Sequence, residues 1–184
     1  MIKGSQMIEI KFQGRGGQGV VVASEILARA CFEDGMFSQC YSLFGGERRG
    51  APVAAFVRVS DKKIYLKCDV DHPHHLVLFD TTLVNEGEIL DQVVPGGYLL
   101  LNGDAGYYGD SLKRYTVGTI NAVEISKSNG LQAIVNTAIL GAYVRLTGIT
   151  RLERLLHVIE ETVPTAIEQN LAAAEQAYER VSIL

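Results

Sequence analysis

The sequence predicts a three-layer α/β/α sandwich with a mixed, mostly parallel sheet and a helical C-terminal third. Three observations lead there. Short apolar runs punctuated by glycine and proline fill the first two thirds of the chain. The stretch FQGRGGQGVVVASEILARA passes from strand-like alternation to a helical period across a glycine loop. Beyond Leu131 the apolar residues keep helical spacing almost to the end.

MIEIKF (Met7 to Phe12) alternates like a strand, and Val22, Ile26 and Ala30 with Ala23 and Leu27 form a helical stripe that stops before Gly35. MFSQCYSLFGG reads as the second strand. PVAAFVRV (Pro52 to Val59) and KIYLK (Lys63 to Lys67), joined by SDK, read as an antiparallel hairpin, which makes the sheet mixed. HLVLFD (His75 to Asp80) is the continuous apolar run of a buried parallel strand. A helix from Leu83 to Val93 then leads through PGG to the strand YLLLN (Tyr98 to Asn102), a right-handed crossover. YTVGTI (Tyr115 to Ile120) is a further strand. Three helices follow, over Leu131 to Thr147, Leu152 to Thr162 and Pro164 to Val181. The last has Pro164 in its first turn and Ile167, Leu171, Ala174 and Tyr178 on its buried face. With no repeat or linker, residues 1–184 read as one domain, and 1–6 as a flexible N-terminal extension.

At 184 residues, 47% hydrophobic and 21% charged, the chain can bury a sizeable core. A net charge of −4, without a basic run interleaved with aromatics, excludes the electrostatic footprint of a nucleic-acid binder. No apolar stretch reaches the length of a membrane span, and MIKGSQM lacks the apolar core of a signal peptide, so a cytoplasmic location is expected. Cys31, Cys40 and Cys68 show no C-x-x-C spacing; they read as reduced thiols in or near the core, not as a disulfide framework, zinc ribbon or cluster cradle.

The loop holds a G-x-G-x-x-G at Gly14, Gly16 and Gly19, a pattern that brings backbone and a helix N-terminus close to phosphate. A nicotinamide enzyme also needs an acid at the end of the second strand, and none stands there; Glu33 and Asp34 come too early. The fingerprint is half present. A second loop, FGGERRGAP (Phe44 to Pro52), leaves the second strand as the first leaves the first, so both open at the carboxyl edge of the sheet. Arg15, Arg48 and Arg49 would then converge on an anion beside the amides of Gly16, Gly17 and Gln18. The competing reading is a solvated turn with Glu47 paired to the arginines; glycines on both sides of the charges favour the anion.

CDVDHPHH (Cys68 to His75) gathers metal-ligand types, but Pro73 and the absence of an i, i+4 pair favour an exposed connector over zinc. His157 reads as partly buried and hydrogen-bonded, and NGDAG (Asn102 to Gly106) as a turn. No catalytic residue and no metal ligand is assigned. An anion cradle without acid/base pair, metal cluster or redox cysteines points to a subunit that completes chemistry held elsewhere.

GRGGQGVVVASEILARA, FGGERRGAPVAAFVRVSDKKI, NTAILGAYVRLTG (Asn136 to Gly148) and IEQNLAAAEQAYE together resemble the gamma subunit of 2-oxoacid:ferredoxin oxidoreductases, the pyruvate and 2-ketoisovalerate type, from Met7 onward. The resemblance implies a cytoplasmic complex that converts a 2-oxoacid, with coenzyme A, to acyl-CoA, carbon dioxide and reduced ferredoxin. Pyruvate or 2-ketoisovalerate is the expected substrate, with 2-oxoglutarate the less favoured choice. It implies alpha, beta (thiamine-binding) and delta (ferredoxin-like) partner subunits, which carry the thiamine diphosphate, magnesium and 4Fe-4S clusters. It places Gly14, Arg15, Gly16, Gly17, Gln18 and Gly19 in a first family loop and Glu47, Arg48, Arg49, Gly50, Ala51 and Pro52 in a second, facing coenzyme A or a partner's thiamine site. Gly46 departs from the family's usual proline. The apolar helix surface of the last third predicts that the isolated chain forms a homodimer. The alternative is a stand-alone Rossmann-like protein binding a nucleotide or NAD.

Overall fold

The computed structural model describes residues 7–44, 50–84, 91–103, 109–132 and 134–184. Seven strands form one sheet: β1 (Ile8–Arg15), β2 (Phe37–Phe44), β3 (Pro52–Ser60), β4 (His75–Leu78), β5 (Tyr98–Asn102), β6 (Thr116–Ile120) and β7 (Ser182–Ile183), in the order β2-β3-β1-β4-β5-β6-β7. β1, β4, β5 and β6 pair in parallel, while β3 runs antiparallel to both β1 and β2, and β7 antiparallel to β6. Five strands therefore share one direction, and β1 and β2 end at the same edge although β3 lies between them.

The helices are α1 (Val20–Glu33), α2 (Ala122–Ser128), α3 (Asn136–Thr147), α4 (Leu152–Thr162) and α5 (Ile167–Arg180). They cover one face. Strand alternation divides the core accordingly: Val77 and Leu100 join Ile26, Leu27, Ile139 and Tyr143 on the helical side, whereas Leu76, Leu78, Leu99 and Leu101 join Val93, Leu112, Tyr115 and Val117 on the other. In the described residues that second face is covered by 3-10 turns (Thr81–Val84, Gly109–Arg114) and irregular chain, so the third layer is thin. Gly141 sets the α3–α5 crossing: a Cβ there would stand 1.9 Å from the Ala174 carbonyl oxygen.

Several expectations hold closely. α4 and β5 have the predicted bounds, and Ala23, Ile26, Leu27 and Ala30 are buried, though Val22 of the same stripe is exposed. Others need correction. Lys63 to Lys67 forms no strand, because both edges of β3 are taken by β1 and β2. The hairpin is β2–β3, and the chain after β3 crosses the outer face, where buried Arg58 donates to the Cys68 carbonyl (2.6 Å) and the Val70 amide donates to Tyr41 Oη (3.0 Å). The helix expected from Leu131 begins at Asn136, and the one expected from Pro164 begins at Ile167 behind Ala166, at φ 52°. Its deeply buried residues are Asn170, Ala173, Ala174 and Ala177; Leu171 and Tyr178 are half-buried and Ile167 is exposed. α2 and β7 were not expected. Most of the helix expected over Leu83 to Val93, the extension 1–6 and Asp104 to Gly106 lie outside the described residues. No helix among the described residues is long and apolar enough to cross a membrane.

Candidate functional site

The glycine loop is built on β1. Gly14 is still in the strand, paired with Val53, and a Cβ on it would meet Gln18 Oε1, Phe79 Cβ and Val20 Cγ2, each at 2.7 Å. Glycine is required there by close approach, not by dihedral angle. Arg15 donates its amide to Gln18 Oε1 (2.7 Å) and the Gln18 amide donates to the Arg15 carbonyl (3.1 Å), a small closed turn. Gly17 (φ 99°) and Gly19 (φ 81°) then swing the chain into α1 through the left-handed region.

The first loop grips the end of the second. The Gly16 amide donates to the Ala51 carbonyl (2.9 Å), and the Gly50 amide donates to the Gly16 carbonyl (3.2 Å). Arg48 and Arg49 lie outside the described residues, as do Gly46 and Glu47. The Arg15 guanidinium is committed differently from the expectation: it donates to Asp80 Oδ2 (2.7 Å), the Gly50 carbonyl (3.2 Å) and Thr82 Oγ1 (3.0 Å). Burial pushes the Asp80 carboxyl up, but hydrogen bonds from the Thr82 hydroxyl and amide and from Arg15 outweigh it, so the group stays ionised below the usual carboxylate range. Arg15 thus braces the carboxyl ends of β1 and β4 and is not a free anion ligand.

α1 begins without a side-chain cap and without an acid in its first turn; its first closing bond is from the Ala23 amide to the Gly19 carbonyl. The amides of Val20, Val21 and Val22 are left without intrahelical acceptors, and they border a groove of about 330 Å³ with Arg15, Gly16, Gly17 and Val53. A cleft of about 520 Å³ adjoins it, reached by Gly17, Gly19 and Val22 on one wall and by Gly130, Gln132, Ile134, Asn136 and residues 162–166 on the other. The starts of α3 and α5 open onto it too, neither with a cap from its N-cap residue, although Asn136 Oδ1 accepts from the Thr137 amide (2.9 Å) in the first turn of α3. Three helix N-termini therefore converge, and no carboxylate is among the described lining residues. Gln132 (φ 54°) and Ala166 (φ 52°), the only described non-glycine residues at positive φ, both border this cleft. Asn136 presses on the loop, with its Cβ 2.9 Å from where a Gly19 Cβ would stand, and Asn170 ties α5 to α3 by accepting from Thr137 Oγ1 (3.0 Å). Sequence reasoning missed this wall, although the VNT start of α3 and the lone asparagine, Asn170, in the apolar stretch of α5 were its available signals.

The other sequence candidates go elsewhere. His72, His74 and His75 turn to separate partners: Gln92 O (3.2 Å), the Glu9 amide (3.1 Å) and Tyr143 Oη (2.6 Å). Among the described residues no group of three or more metal-ligand side chains converges. The connector is not uniformly exposed as expected, since Val70, Pro73 and His75 are buried; burial and the neighbouring His74 lower the His75 pKa to about 3. Cys31 is buried, its thiol pushed up to about 12 by burial and by Asp34, but Cys40 and Cys68 are exposed, against expectation. His157 is exposed too, beside Glu161 and Glu33. The dinucleotide reading gains nothing: β3 separates β1 from β2, β2 ends in Tyr41, Ser42, Leu43 and Phe44 without an acid, and Asp34 is bound to Arg151.

Comparison with known proteins places this arrangement. The profile of the pyruvate ferredoxin/flavodoxin oxidoreductase family matches residues 9–180. The pyruvate synthase subunit PorC of Methanothermobacter thermautotrophicus is 42% identical over 179 residues, covering 97% of this chain and 98% of the relative. The pyruvate/ketoisovalerate oxidoreductases common subunit gamma of Thermococcus kodakarensis is 38% identical over 182 residues, covering 96% and 98%. The crystal structure of the pyruvate oxidoreductase subunit PORC from Thermotoga maritima superposes with a TM-score of 0.82 at 32% identity, over 97% of this chain and 98% of that one. The chain belongs to the pyruvate ferredoxin/flavodoxin oxidoreductase family, with the length and fold of its gamma-type subunits.

Proposed function

We propose that this chain, acting as one domain, is the gamma subunit of a cytoplasmic 2-oxoacid:ferredoxin oxidoreductase, and that its glycine-loop edge holds the phosphates of coenzyme A. The reaction is the oxidation of a 2-oxoacid by two oxidised ferredoxins with coenzyme A as acyl acceptor, yielding acyl-CoA, carbon dioxide, a proton and two reduced ferredoxins. Pyruvate or 2-ketoisovalerate is the favoured substrate. Thiamine diphosphate with magnesium, on a beta-type partner, supplies the decarboxylating chemistry, and 4Fe-4S clusters on partner subunits carry the electrons; alpha and delta subunits complete the assembly. The relative named as a gamma subunit common to two oxidoreductases supports leaving substrate choice to those partners.

The observation that carries the reading is the convergence of three helix starts, those of α1 and α5 without a side-chain cap and that of α3 with only its Thr137 amide held by Asn136, on a cleft with no carboxylate among its described lining residues; Arg48 and Arg49 stand just before Gly50 in the sequence. Fixed amide dipoles and guanidinium groups suit a polyphosphate, and each charge-assisted hydrogen bond to it contributes about 1.5–3 kcal/mol. Arg15 enters as the brace that presents the loop, Gly14 and Gly19 as the residues that permit it, and Gln18 as its internal tie.

The test is steady-state kinetics of the enzyme reconstituted from all its subunits. Arg49→Ala is expected to raise the KM for coenzyme A about ten-fold or more while the KM for the 2-oxoacid stays put. A complex that assembles poorly but keeps the wild-type coenzyme A dependence would assign the arginines to a subunit interface instead. The purified chain alone should turn over no 2-oxoacid.

A further inference from the structure

β2 is an edge strand eight residues long, FSQCYSLF, with no charge and no proline, and among the described residues it pairs only with β3. Folded proteins ordinarily blunt such an edge with a lysine, a proline or a bulge, because its outer row of amides and carbonyls invites another strand. Alternation sends Phe37, Gln39, Tyr41 and Leu43 to the outer face and Ser38, Cys40 and Ser42 toward α1, where Ser38 Oγ donates to the Ala28 carbonyl. Phe37 and Leu43 are 42% and 48% exposed, both apolar, at opposite ends of the strand.

We infer that the β2 edge is an isologous interface for a second copy of this chain, paired antiparallel about Cys40 to continue the sheet across a two-fold axis. The register follows from the sequence. Centred on Cys40, the pairing sets Phe37 of each copy against Leu43 of the other, Ser38 against Ser42, and Gln39 against Tyr41. Each exposed apolar side chain thereby meets an apolar one, and the uncharged strand places no like charges opposite each other. Gln39 Oε1, a buried acceptor without a partner among the described residues, gains a hydroxyl-bearing neighbour across the axis. The opposing charge term is Glu25, which acts on Cys40 from α1, so the pairing tightens with rising ionic strength. The inference stands apart from the coenzyme A reading, since it uses none of the cleft residues.

Sedimentation velocity of the full chain tests it. The wild type is expected to form a reversible dimer at micromolar concentration, and Leu43→Lys to raise its dissociation constant about ten-fold or more with circular dichroism unchanged. Adding Phe37→Glu to Leu43→Lys sets opposite charges across the pairing and should recover most of the loss, a rescue that only this register gives. In a Cys68→Ser background, mild oxidation should link the dimer through Cys40, since directly opposed Cα atoms stand within disulfide reach. A wild-type chain that stays monomeric would overturn the inference. So would a dimer indifferent to Leu43→Lys, a double variant no tighter than Leu43→Lys, or an edge that recruits a partner subunit but no second copy.

Discussion

The two ends of α1 are built on opposite principles. At its C-terminal end nearly every charge is spoken for: Asp34 accepts from the Thr150 hydroxyl, the Arg151 amide and guanidinium (3.0 and 2.6 Å) and Arg154 (3.4 Å), while Glu33 takes Arg29 and Arg154. At its N-terminal end no side chain among the described residues caps the amides, the start of α5 shares that condition, the start of α3 has only its Thr137 amide held, by Asn136 Oδ1 (2.9 Å), and two non-glycine residues nearby hold left-handed backbone. One end locks α1 to α4 and supplies stability. The other leaves binding capacity unspent, at a cost in stability that a ligand would offset.

The comparison breaks most visibly at Asp34. Asp34→Ala removes the acceptor of several charge-assisted bonds at once and is expected to destabilise the chain by about 2–4 kcal/mol in urea unfolding, leaving coenzyme A dependence of the assembled enzyme unchanged. The pH response has the same origin. Burial works against the Asp34 carboxylate, but bonds from Arg151 and Thr150 and the Arg151 charge hold its pKa well below the ordinary value of 3.8. A depressed acid contributes stability that is complete above the unfolded pKa and is lost as pH falls below it. Unfolding of the wild type should therefore become easier below about pH 4, and Asp34→Ala should flatten that limb.

His75 adds an earlier component. Its folded pKa of about 3 lies below the ordinary 6.5, so the unfolded chain takes up a proton that the folded one refuses, and stability falls as pH drops from about 6.5 toward 3. His75→Gln should reduce the slope of stability against pH across that window; an unchanged slope would show that burial of this imidazole carries no such linkage.

At the open end the expected stability effects are smaller and the functional ones larger. Gly19→Ala must hold alanine at φ 81° against Asn136, costing about 1–2 kcal/mol, and it should also raise the KM for coenzyme A. Val22→Glu supplies the first-turn acid that α1 lacks, at an exposed position on the cleft wall. It should stabilise the chain slightly, by about 0.5 kcal/mol, while weakening coenzyme A use about ten-fold. A variant that became more stable and bound coenzyme A as before would remove the trade between the two ends.

What the sequence made legible follows the range of the forces involved. α4 and β5 were readable because apolar periodicity and glycine or proline punctuation are local. α2 had a local signal as well: Asn121 accepts from the Glu124 amide (3.0 Å), a cap written as N-x-x-E. The pairing of β3 was not local, for KIYLK has strand-like alternation and only the occupation of both β3 edges denies it a place. The candidate site divides the same way. Its glycine loop and arginine segment stood out by composition, whereas the Asp80 that engages Arg15 is 65 residues away, and the Asn136 wall faces Gly19 only because α1, α3 and α5 all start at one edge.

Amide hydrogen exchange on the assembled enzyme, with and without coenzyme A, tests the central claim most directly. If the open end of α1 holds the phosphates, coenzyme A should slow exchange at Gly16 through Val22 and at the start of α3, and leave the amides around Asp34 and Arg151 as they were. Unchanged exchange at Gly16 through Val22 under saturating coenzyme A, with turnover intact, would contradict it.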